Sequence, residues 1–329
     1  MQQEFQAVVD RLKQAGSLLV VCHARPDGDA LGSLLGLALS ARASGRMARM
    51  LAPDRLPAQY DFLFPAERPA GREQFAALAD EADLVVIVDT STFGQLDGLK
   101  EHLEPRRRKV AVMDHHQTSA QVGQVQWVDV SAAATALMVQ EALEHLGWPM
   151  DAQVVHALGA GITSDTGWLR FENTDPRCLE AMSRLVRRGL ELDKLYRQLY
   201  QNDRPEKLKL LGRALESLEM QEGGRLAMMS LRNGDFDSSG ARQDETENLV
   251  NEALRIGGVE VAVLMVELGH VVRVSLRSRE HVDVSRIAQP FGGGGHARAA
   301  GLRSTLPLAE IHQQVAAACQ AALRGQMPS

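Results

Sequence analysis

Cysteine is scarce in this sequence. Only Cys22, Cys178 and Cys319 occur among 329 residues, and no two of them form a C-x-x-C pair. Three isolated cysteines argue against a disulfide framework and against a structural zinc knuckle. Because free thiols persist in a reducing compartment, we expect a cytoplasmic protein.

Long apolar runs are also missing. The longest stretches, such as 31–41, are well short of the roughly 18 residues that a membrane-spanning helix needs. The polar segment 1–16 has no apolar signal core. We therefore expect no membrane partner.

Positive charge is not in excess, since the formal net charge is −6 and the isoelectric point is about 6.0. A protein that coats long DNA or RNA carries a strong basic excess. We therefore expect no stable partner among long nucleic acids. A small nucleotide remains possible as a ligand because it needs only a local basic patch.

The sequence does contain enough apolar residues, 45%, for a real core, and its length suits two domains or one large one. In the first half, short runs rich in β-branched residues alternate with helical patterns. Strands are predicted at 17–22, 46–51, 83–88 and 109–113. Helices are predicted at 30–43, 132–146 and 151–163. This alternation predicts an α/β fold whose parallel sheet is covered on both faces.

The remainder of the chain has a different pattern of predicted helices and strands. Residues 190–220 are charged and helical without strand signals, which indicates a helical connector. The elements predicted beyond it are strands at 225–231, 259–268 and 271–277 and helices near 244–256 and at 307–323. We therefore predict a first domain at 1–190, a connector at 191–221 and a smaller α/β domain at 222–329.

Acidic and imidazole side chains directly follow three of the predicted strands. In chain order they are His23, Asp27 and Asp29, then Asp89, then Asp114, His115 and His116. Because the carboxyl ends of parallel strands meet at one edge of a sheet, we expect these side chains to lie close together. Asp165, in the sequence GITSDTG, follows the helix 151–163 in a Ser/Thr/Gly turn.

This set of side chains predicts a site for two metal ions. Gly28 permits a tight turn that could direct Asp27 and Asp29 to adjacent ions, and Asp89 is the candidate bridge. Two ions roughly 3.5–4 Å apart can polarise a phosphoryl oxygen. Mixed imidazole and carboxylate ligands suit manganese or cobalt better than magnesium.

Each of these residues alone has an ordinary structural explanation. An aspartate at a strand end is usually a turn former or a helix cap, and His23 alone could be a hydrogen-bonded core residue. Their conjunction at the ends of several strands of one predicted sheet favours a functional site.

The quoted residues resemble the motifs of the DHH phosphoesterase family. HARPDGDALGS, VDTS, MDHH and GITSDTG are similar to its four motifs, and FGGGGHARAAG is similar to the signature of the DHH-associated C-terminal domain. The motifs follow in order from about residue 17 to 303. Within the family, the chain most resembles the compact two-domain branch that cleaves very short RNA and dephosphorylates pAp.

The resemblance implies a role for each residue of the cluster. His23 and Asp27 would bind the first metal, and Asp29, His115 and Asp165 the second, with Asp89 bridging both. His116 would hydrogen-bond the substrate, and Asp114 would orient the histidines. The ions would be two divalent metals, most often Mn²⁺, with Mg²⁺ or Co²⁺ as alternatives.

The glycine-rich segment is the candidate substrate-binding element of the second domain. Its backbone amides could form an anion-holding nest, and a helix after it would add a favourable dipole. The candidate residues are Gly292, Gly293, Gly294, Gly295, His296, Arg277, Arg279 and Arg298. The alternative is a flexible turn with solvated arginines. Two departures from the family pattern, at Arg25 and at Trp168-Leu169, bear on substrate shape.

Together these features lead us to expect short oligoribonucleotides or oligodeoxyribonucleotides and pAp as substrates, held in a cleft between the two domains. Alternatives are a phosphodiesterase for cyclic di-AMP or pApA, a RecJ-like exonuclease for single-stranded DNA, and a manganese pyrophosphatase. A nucleotide-binding regulator without catalysis is the alternative from another class. A homodimer is compatible with all of these.

Overall fold

The structure is a computed structural model that describes residues 2–96, 98–117 and 119–325. Its contacts divide the chain into two compact units, Met1–Asn202 and Asp203–Ser329. The division falls inside the segment 191–221, which the sequence predicts to be a connector. Within the described ranges, every helix is too short or too polar to cross a membrane.

The first unit is built on a parallel sheet, as predicted. Its strands are β1 (Ser17–Val21), β2 (Met47–Leu51), β3 (Leu84–Val88), β4 (Val110–Asp114) and β5 (Val125–Val128). The order across the sheet is β2-β1-β3-β4-β5. Alternate residues of β1, β3 and β4 enter cores on opposite faces, because side chains of a strand alternate in direction. The sequence missed β5, a short and half-polar strand at the sheet edge.

Eight helices accompany this sheet in the described part of the first unit. They are α1 (Gln2–Gln14), α2 (Gly28–Ala43), α3 (Phe75–Glu81), α4 (Lys100–Leu103), α5 (Thr135–Leu146), α6 (Ala152–Asp165), α7 (Pro176–Arg187) and α8 (Leu192–Tyr200). Asp27 caps α2, since its Oδ1 accepts the N–H groups of Asp29 and Ala30. Helices α2 and α6 approach closely at Gly32, where a Cβ atom would lie 2.4 Å from the carbonyl oxygen of Ala157.

Two predicted helix ends differ from the structure. Helix α5 begins at Thr135 rather than 132, because Ala134 is extended. Helix α6 continues through Asp165, since the N–H of Thr166 still donates to the carbonyl of Ile162. The expectation that Asp165 lies in a turn is therefore wrong, and it is the last residue of a helix.

The second unit contains a mixed sheet in the order β10-β11-β9-β8-β7-β6. Its strands are β6 (Glu219–Gln221), β7 (Leu226–Leu231), β8 (Val261–Leu268), β9 (Val271–Ser278), β10 (Gly294–His296) and β11 (Ala299–Ser304). Its helices are α9 (Pro205–Glu216), α10 (Asn233–Ser239), α11 (Val250–Ala253), α12 (Val284–Ala288) and α13 (Leu308–Leu323). Along β9, alternate apolar residues face a core shared with α12 and α13.

Two sequence expectations for this unit are wrong. The helix predicted at 244–256 is reduced to a 3-10 turn and α11, because Glu247 is extended and Asn248 has a φ of +65°. The helix expected after the glycine run is absent from this described segment. The run instead enters β10, which pairs antiparallel with β11.

Candidate metal centre

One group of ligand atoms lies at the ends of β1 and β3. The Nε2 atom of His23 is 3.3 Å from Asp89 Oδ2 and 3.8 Å from Asp27 Oδ1. These three residues offer atoms that all lie within 4.8 Å of one another. A single cation could therefore contact one imidazole and two carboxylates here.

A second group lies beside the first. The Nε2 atom of His115 is 3.1 Å from Asp165 Oδ2 and 3.9 Å from Asp29 Oδ2. It is also 3.7 Å from Asp89 Oδ1. The two oxygens of Asp89 thus face different histidines, Oδ2 towards His23 and Oδ1 towards His115. This arrangement suits a carboxylate shared between two ions.

Helix α5 fixes two buried carboxylates, those of Asp29 and Asp89. The backbone N–H groups of Thr135 and Ala136, in its first turn, donate to Asp29 over 2.6 and 2.8 Å. The Thr135 hydroxyl donates to Asp89 Oδ1 over 2.9 Å. Asp89 itself has a φ of +64°, a strained conformation for a residue other than glycine. The sequence analysis missed Thr135, which lacks the strand-end position of the other candidates.

Backbone and side-chain partners orient the three histidine rings. The Nδ1 atom of His23 lies 2.8 Å from the carbonyl of Ala24, and that of His115 lies 3.1 Å from the carbonyl of Ala132. Donation from Nδ1 leaves each Nε2 atom to face the carboxylates. His116 Nδ1 instead contacts Asp114 Oδ1 at 2.8 Å.

Asp114 is fully buried, and burial alone would raise its pKa. The interactions with His116 and with Ser91 together outweigh this effect and lower the pKa of Asp114 below its ordinary value. The carboxylate of Asp114 beside His116 fixes the orientation of that ring. Asp114 therefore contacts His116 and belongs to neither of the two groups of candidate ligand atoms.

The electrostatics of the cluster fit divalent cations. Burial, followed by the charge of Asp165, raises the pKa of Asp29 to about 7. Burial and the charges of Asp29 and Asp27 also raise the pKa of Asp89. Burial lowers the pKa of His115, but the hydrogen bond to Asp165 and the surrounding carboxylates outweigh it and raise the value to about 11. The cluster thus concentrates negative charge that metal ions would offset, and its oxygen and imidazole donors suit them.

In the second unit, neighbouring backbone lies so close to two glycines that no side chain fits at either position. A Cβ atom at Gly293 would lie 2.4 Å from the carbonyl of Gly301, and one at Gly295 would lie 2.4 Å from that of Ala299. The N–H groups of Gly292 and Gly293 donate to carbonyls of α12 and its following turn. Those two amides are therefore already engaged.

The three predicted arginines have different surroundings. Arg279 Nη2 donates to the carbonyls of Leu254 and Ile256, and Arg298 Nη1 donates to that of Val282. Arg277 is half-buried on β9, and burial lowers its pKa. Its Nη1 atom donates only to the adjacent Leu276 carbonyl among the described hydrogen bonds. The side chain of His296 lies outside the described residues.

Family models and known proteins match most of this chain. The model of the DHH family, N-terminal domain, matches residues 17–162, and that of the DHHA1 domain matches residues 223–324. A Thermus thermophilus protein named bifunctional oligoribonuclease and PAP phosphatase NrnA is 33% identical over 292 residues, 87% of this chain and 83% of that protein. A Bacillus subtilis protein of the same name is 28% identical over 283 residues, 85% and 86% of the two chains.

A solved structure has the same fold. It is an exopolyphosphatase-related protein from Bacteroides fragilis, with a TM-score of 0.92 and 21% identity. The similarity covers 97% of this chain and 96% of the other. It supports the α/β architecture described above for each unit.

Proposed function

Because this chain belongs to the DHH family and joins that family's N-terminal domain to a DHHA1 domain, we propose that it is a two-metal phosphoesterase. Its substrates are very short oligonucleotides, which it degrades to mononucleotides in the cytoplasm, and pAp, which it converts to AMP. The observation that carries this proposal is the position of Asp89 between His23 and His115. The names of the Thermus thermophilus and Bacillus subtilis relatives support the two substrates.

The proposed ligand sets follow the two groups of side chains. His23 and Asp27 would hold one ion, and Asp29, His115 and Asp165 would hold the other, with Asp89 available to both. Ions bound there would supply Lewis-acid polarisation of the phosphoryl oxygen and a lowered pKa of water. We propose manganese, because imidazole combined with carboxylate suits it better than magnesium.

His116 donates a proton to the leaving group, and Asp114 positions His116 for this step. Asp114 accepts from His116 Nδ1, so a second proton on that ring resides at Nε2. We propose that this Nε2–H donates to the oxygen that leaves phosphorus, which neutralises its developing charge. Asp114 holds this ring in place and is a positioning residue.

The second unit supplies a substrate phosphate contact. Among the three predicted arginines, Arg277 combines half-burial with a single described hydrogen bond, to the carbonyl of the adjacent Leu276. Its partial burial strengthens a charge-assisted hydrogen bond to phosphate, because fewer waters compete. Gly293 and Gly295 keep the neighbouring surface free of side chains, since their positions exclude a Cβ atom.

The test of the two-metal assignment is Asp89→Ala, measured with manganese and a short oligoribonucleotide. Hydrolysis and manganese binding should both be lost, because both ions share this carboxylate. Asp237→Ala, which removes an exposed carboxylate of α10, is the matched control. Turnover equal to that of the wild type in Asp89→Ala would falsify the assignment.

A substrate panel identifies the preferred ester. Wild-type protein with manganese should act on pAp and on di- to pentanucleotides more rapidly than on cyclic di-AMP, pApA or long single-stranded DNA. The reverse order would favour a cyclic-dinucleotide phosphodiesterase or a RecJ-like exonuclease. Tight nucleotide binding without turnover of any substrate would favour a regulator.

A further inference from the structure

Three aromatic side chains form an exposed cluster in the first unit. Trp168 lies 5.0 Å from Tyr196 and 5.8 Å from Tyr200 between ring centroids, and the two tyrosines are 5.2 Å apart. We call these three residues the aromatic cluster. Tyr196 is 38% exposed and Tyr200 is 41% exposed. Large aromatic faces open to solvent in this way can bind a planar ligand.

A groove runs along the aromatic cluster. Its volume is about 460 Å³, within the size range of small-ligand sites. It is lined by Trp168, Leu192, Asp193, Tyr196, Arg197 and Gln201. Aromatic and aliphatic walls with a few polar groups suit a flat heterocycle better than a compact anion.

The backbone that presents Trp168 is strained. Trp168 and Leu169 have φ values of +61° and +60°, which bulky side chains rarely adopt. The N–H of Trp168 donates to the carbonyl of Thr163 over 2.7 Å, and the N–H of Leu169 donates to the Thr166 hydroxyl over 3.2 Å. Strain that is held in place by specific hydrogen bonds is typical of functional sites.

The aromatic cluster also adjoins the metal centre. Trp168 is three residues beyond Asp165, so their Cα atoms are at most about 11 Å apart. Tyr60 is buried, and burial followed by the charge of Asp27 raises its pKa. A Cβ atom at Gly28 would lie 3.1 Å from the Tyr60 ring. Because Gly28 follows Asp27, the Tyr60 ring lies beside the candidate metal centre.

Positive charge accompanies the aromatic faces. Arg170 is exposed, its Nε atom donates to the carbonyl of Gly167, and its charge acts on Tyr200. Within the described ranges, it has no carboxylate partner at salt-bridge distance. Stacking faces beside an unpaired guanidinium are the combination that binds a single-stranded nucleotide.

We propose that the aromatic cluster stacks a nucleobase of the same oligonucleotide whose phosphate reaches the metal centre. This proposal rests on the proposed function and extends it. The ligand is a base next to the reacting nucleotide, and Arg170 contacts the adjoining phosphate. Each stacked base adds roughly 5- to 150-fold in affinity.

Tryptophan fluorescence tests binding without turnover. Trp127 and Trp148 are only 3% and 7% exposed, so a stacked base should quench mainly Trp168. We expect saturable quenching when wild-type protein with manganese is titrated with a phosphorothioate-linked triadenylate, which resists hydrolysis. Trp168→Phe should remove the quenching, and Tyr196→Ala should weaken binding roughly 5- to 150-fold. Leu179→Ala, which truncates an exposed apolar side chain of α7, is the matched control.

Abasic substrates separate stacking from simple packing. In the wild type, replacing the stacked base of a triadenylate by an abasic sugar should lower affinity, whereas Tyr196→Ala should show little further loss. The proposal would be overturned if the abasic sugar lowered affinity equally in the wild type and in Tyr196→Ala. It would also be overturned if the oligonucleotide did not quench Trp168. If quenching occurs and no ester is hydrolysed, the proposed function fails while the stacking site stands. The reverse case is hydrolysis of esters together with an abasic sugar that lowers affinity as much in Tyr196→Ala as in the wild type. The proposed function then stands and the stacking site is refuted.

Discussion

The hydroxyl of Thr135 donates to Asp89 Oδ1 over 2.9 Å, while the backbone N–H of the same threonine donates to Asp29 Oδ2 over 2.6 Å. One residue at the start of α5 therefore positions two carboxylates, one in α2 and one directly after β3. The hydroxyl acts only on Asp89, and the backbone group only on Asp29. A side-chain substitution can separate the two effects.

Thr135→Val removes the hydroxyl and keeps the shape and the backbone N–H. Because Asp89 then loses an orienting partner, manganese affinity and turnover should fall roughly 10- to 100-fold. Calorimetric titration of manganese and the rate of pAp hydrolysis check this. Thr135→Ser retains the hydroxyl and should stay close to the wild type. Unaltered metal affinity in the valine variant would show that Asp89 does not depend on this hydrogen bond.

The sequence predicts the candidate metal ligands that follow strands. Hydrophobic runs define β1, β3 and β4, and parallel pairing then brings their carboxyl ends to one edge. His23, Asp89 and His115 follow from that rule alone. Their distances, and the opposite directions of the two Asp89 oxygens, depend on the folded chain.

Other features of the site have no local signal. Thr135 reaches Asp89 across 46 positions of sequence, through the packing of α5 against the sheet. The glycine run becomes a strand only because β11 provides a partner. The strain at Trp168 and Leu169 is equally invisible in the sequence, since these residue types rarely take positive φ values.

Gly161 lies where α6 meets both α5 and the metal centre. A Cβ atom there would be 2.5 Å from the Ala136 Cβ and 3.0 Å from Asp29 Oδ1. Gly161→Ala should lower the free energy of unfolding by about 1–3 kcal/mol and also weaken metal binding, because Asp29 must move. Chemical denaturation in chelator and metal titration measure the two effects.

Gly159→Ala is the control for Gly161→Ala on the same helix. Its Cβ would meet only the flexible side chain of Leu190, at 2.7 Å. It can therefore alter stability without reaching Asp29. If both variants bound manganese equally well, Gly161 would be a packing residue only.

The pKa of Asp29 predicts how pH affects the protein without metal. Burial and the charge of Asp165 raise that pKa from 3.8 to about 7, so the folded state holds a proton that the unfolded chain releases. Stability in chelator should therefore fall as pH rises from about 4 to about 7, by on the order of 1–3 kcal/mol. His115 extends the fall above about pH 6.5, since its pKa is raised to about 11.

Denaturation in chelator at several pH values measures this slope. Asp29→Asn should reduce the slope between about pH 4 and 7, because the substituted side chain does not titrate, whereas the raised pKa of Asp89 preserves part of it. Added manganese should stabilise the wild type more at high pH than at low pH, since ligands must release protons to bind metal. A rise in chelator stability over the same range would contradict the assigned direction of the Asp29 shift.

Arg277 and Arg279 should respond differently to truncation, although they are two residues apart. Arg279 donates to the carbonyls of Leu254 and Ile256, so Arg279→Ala should lower stability by about 1 kcal/mol per lost hydrogen bond. Arg277→Ala should instead raise KM for a short oligonucleotide by roughly 10- to 150-fold, as expected for a lost charge-assisted contact. Steady-state kinetics and thermal denaturation of both variants separate the effects. The opposite pattern would make Arg279 the phosphate ligand and Arg277 a structural residue of β9.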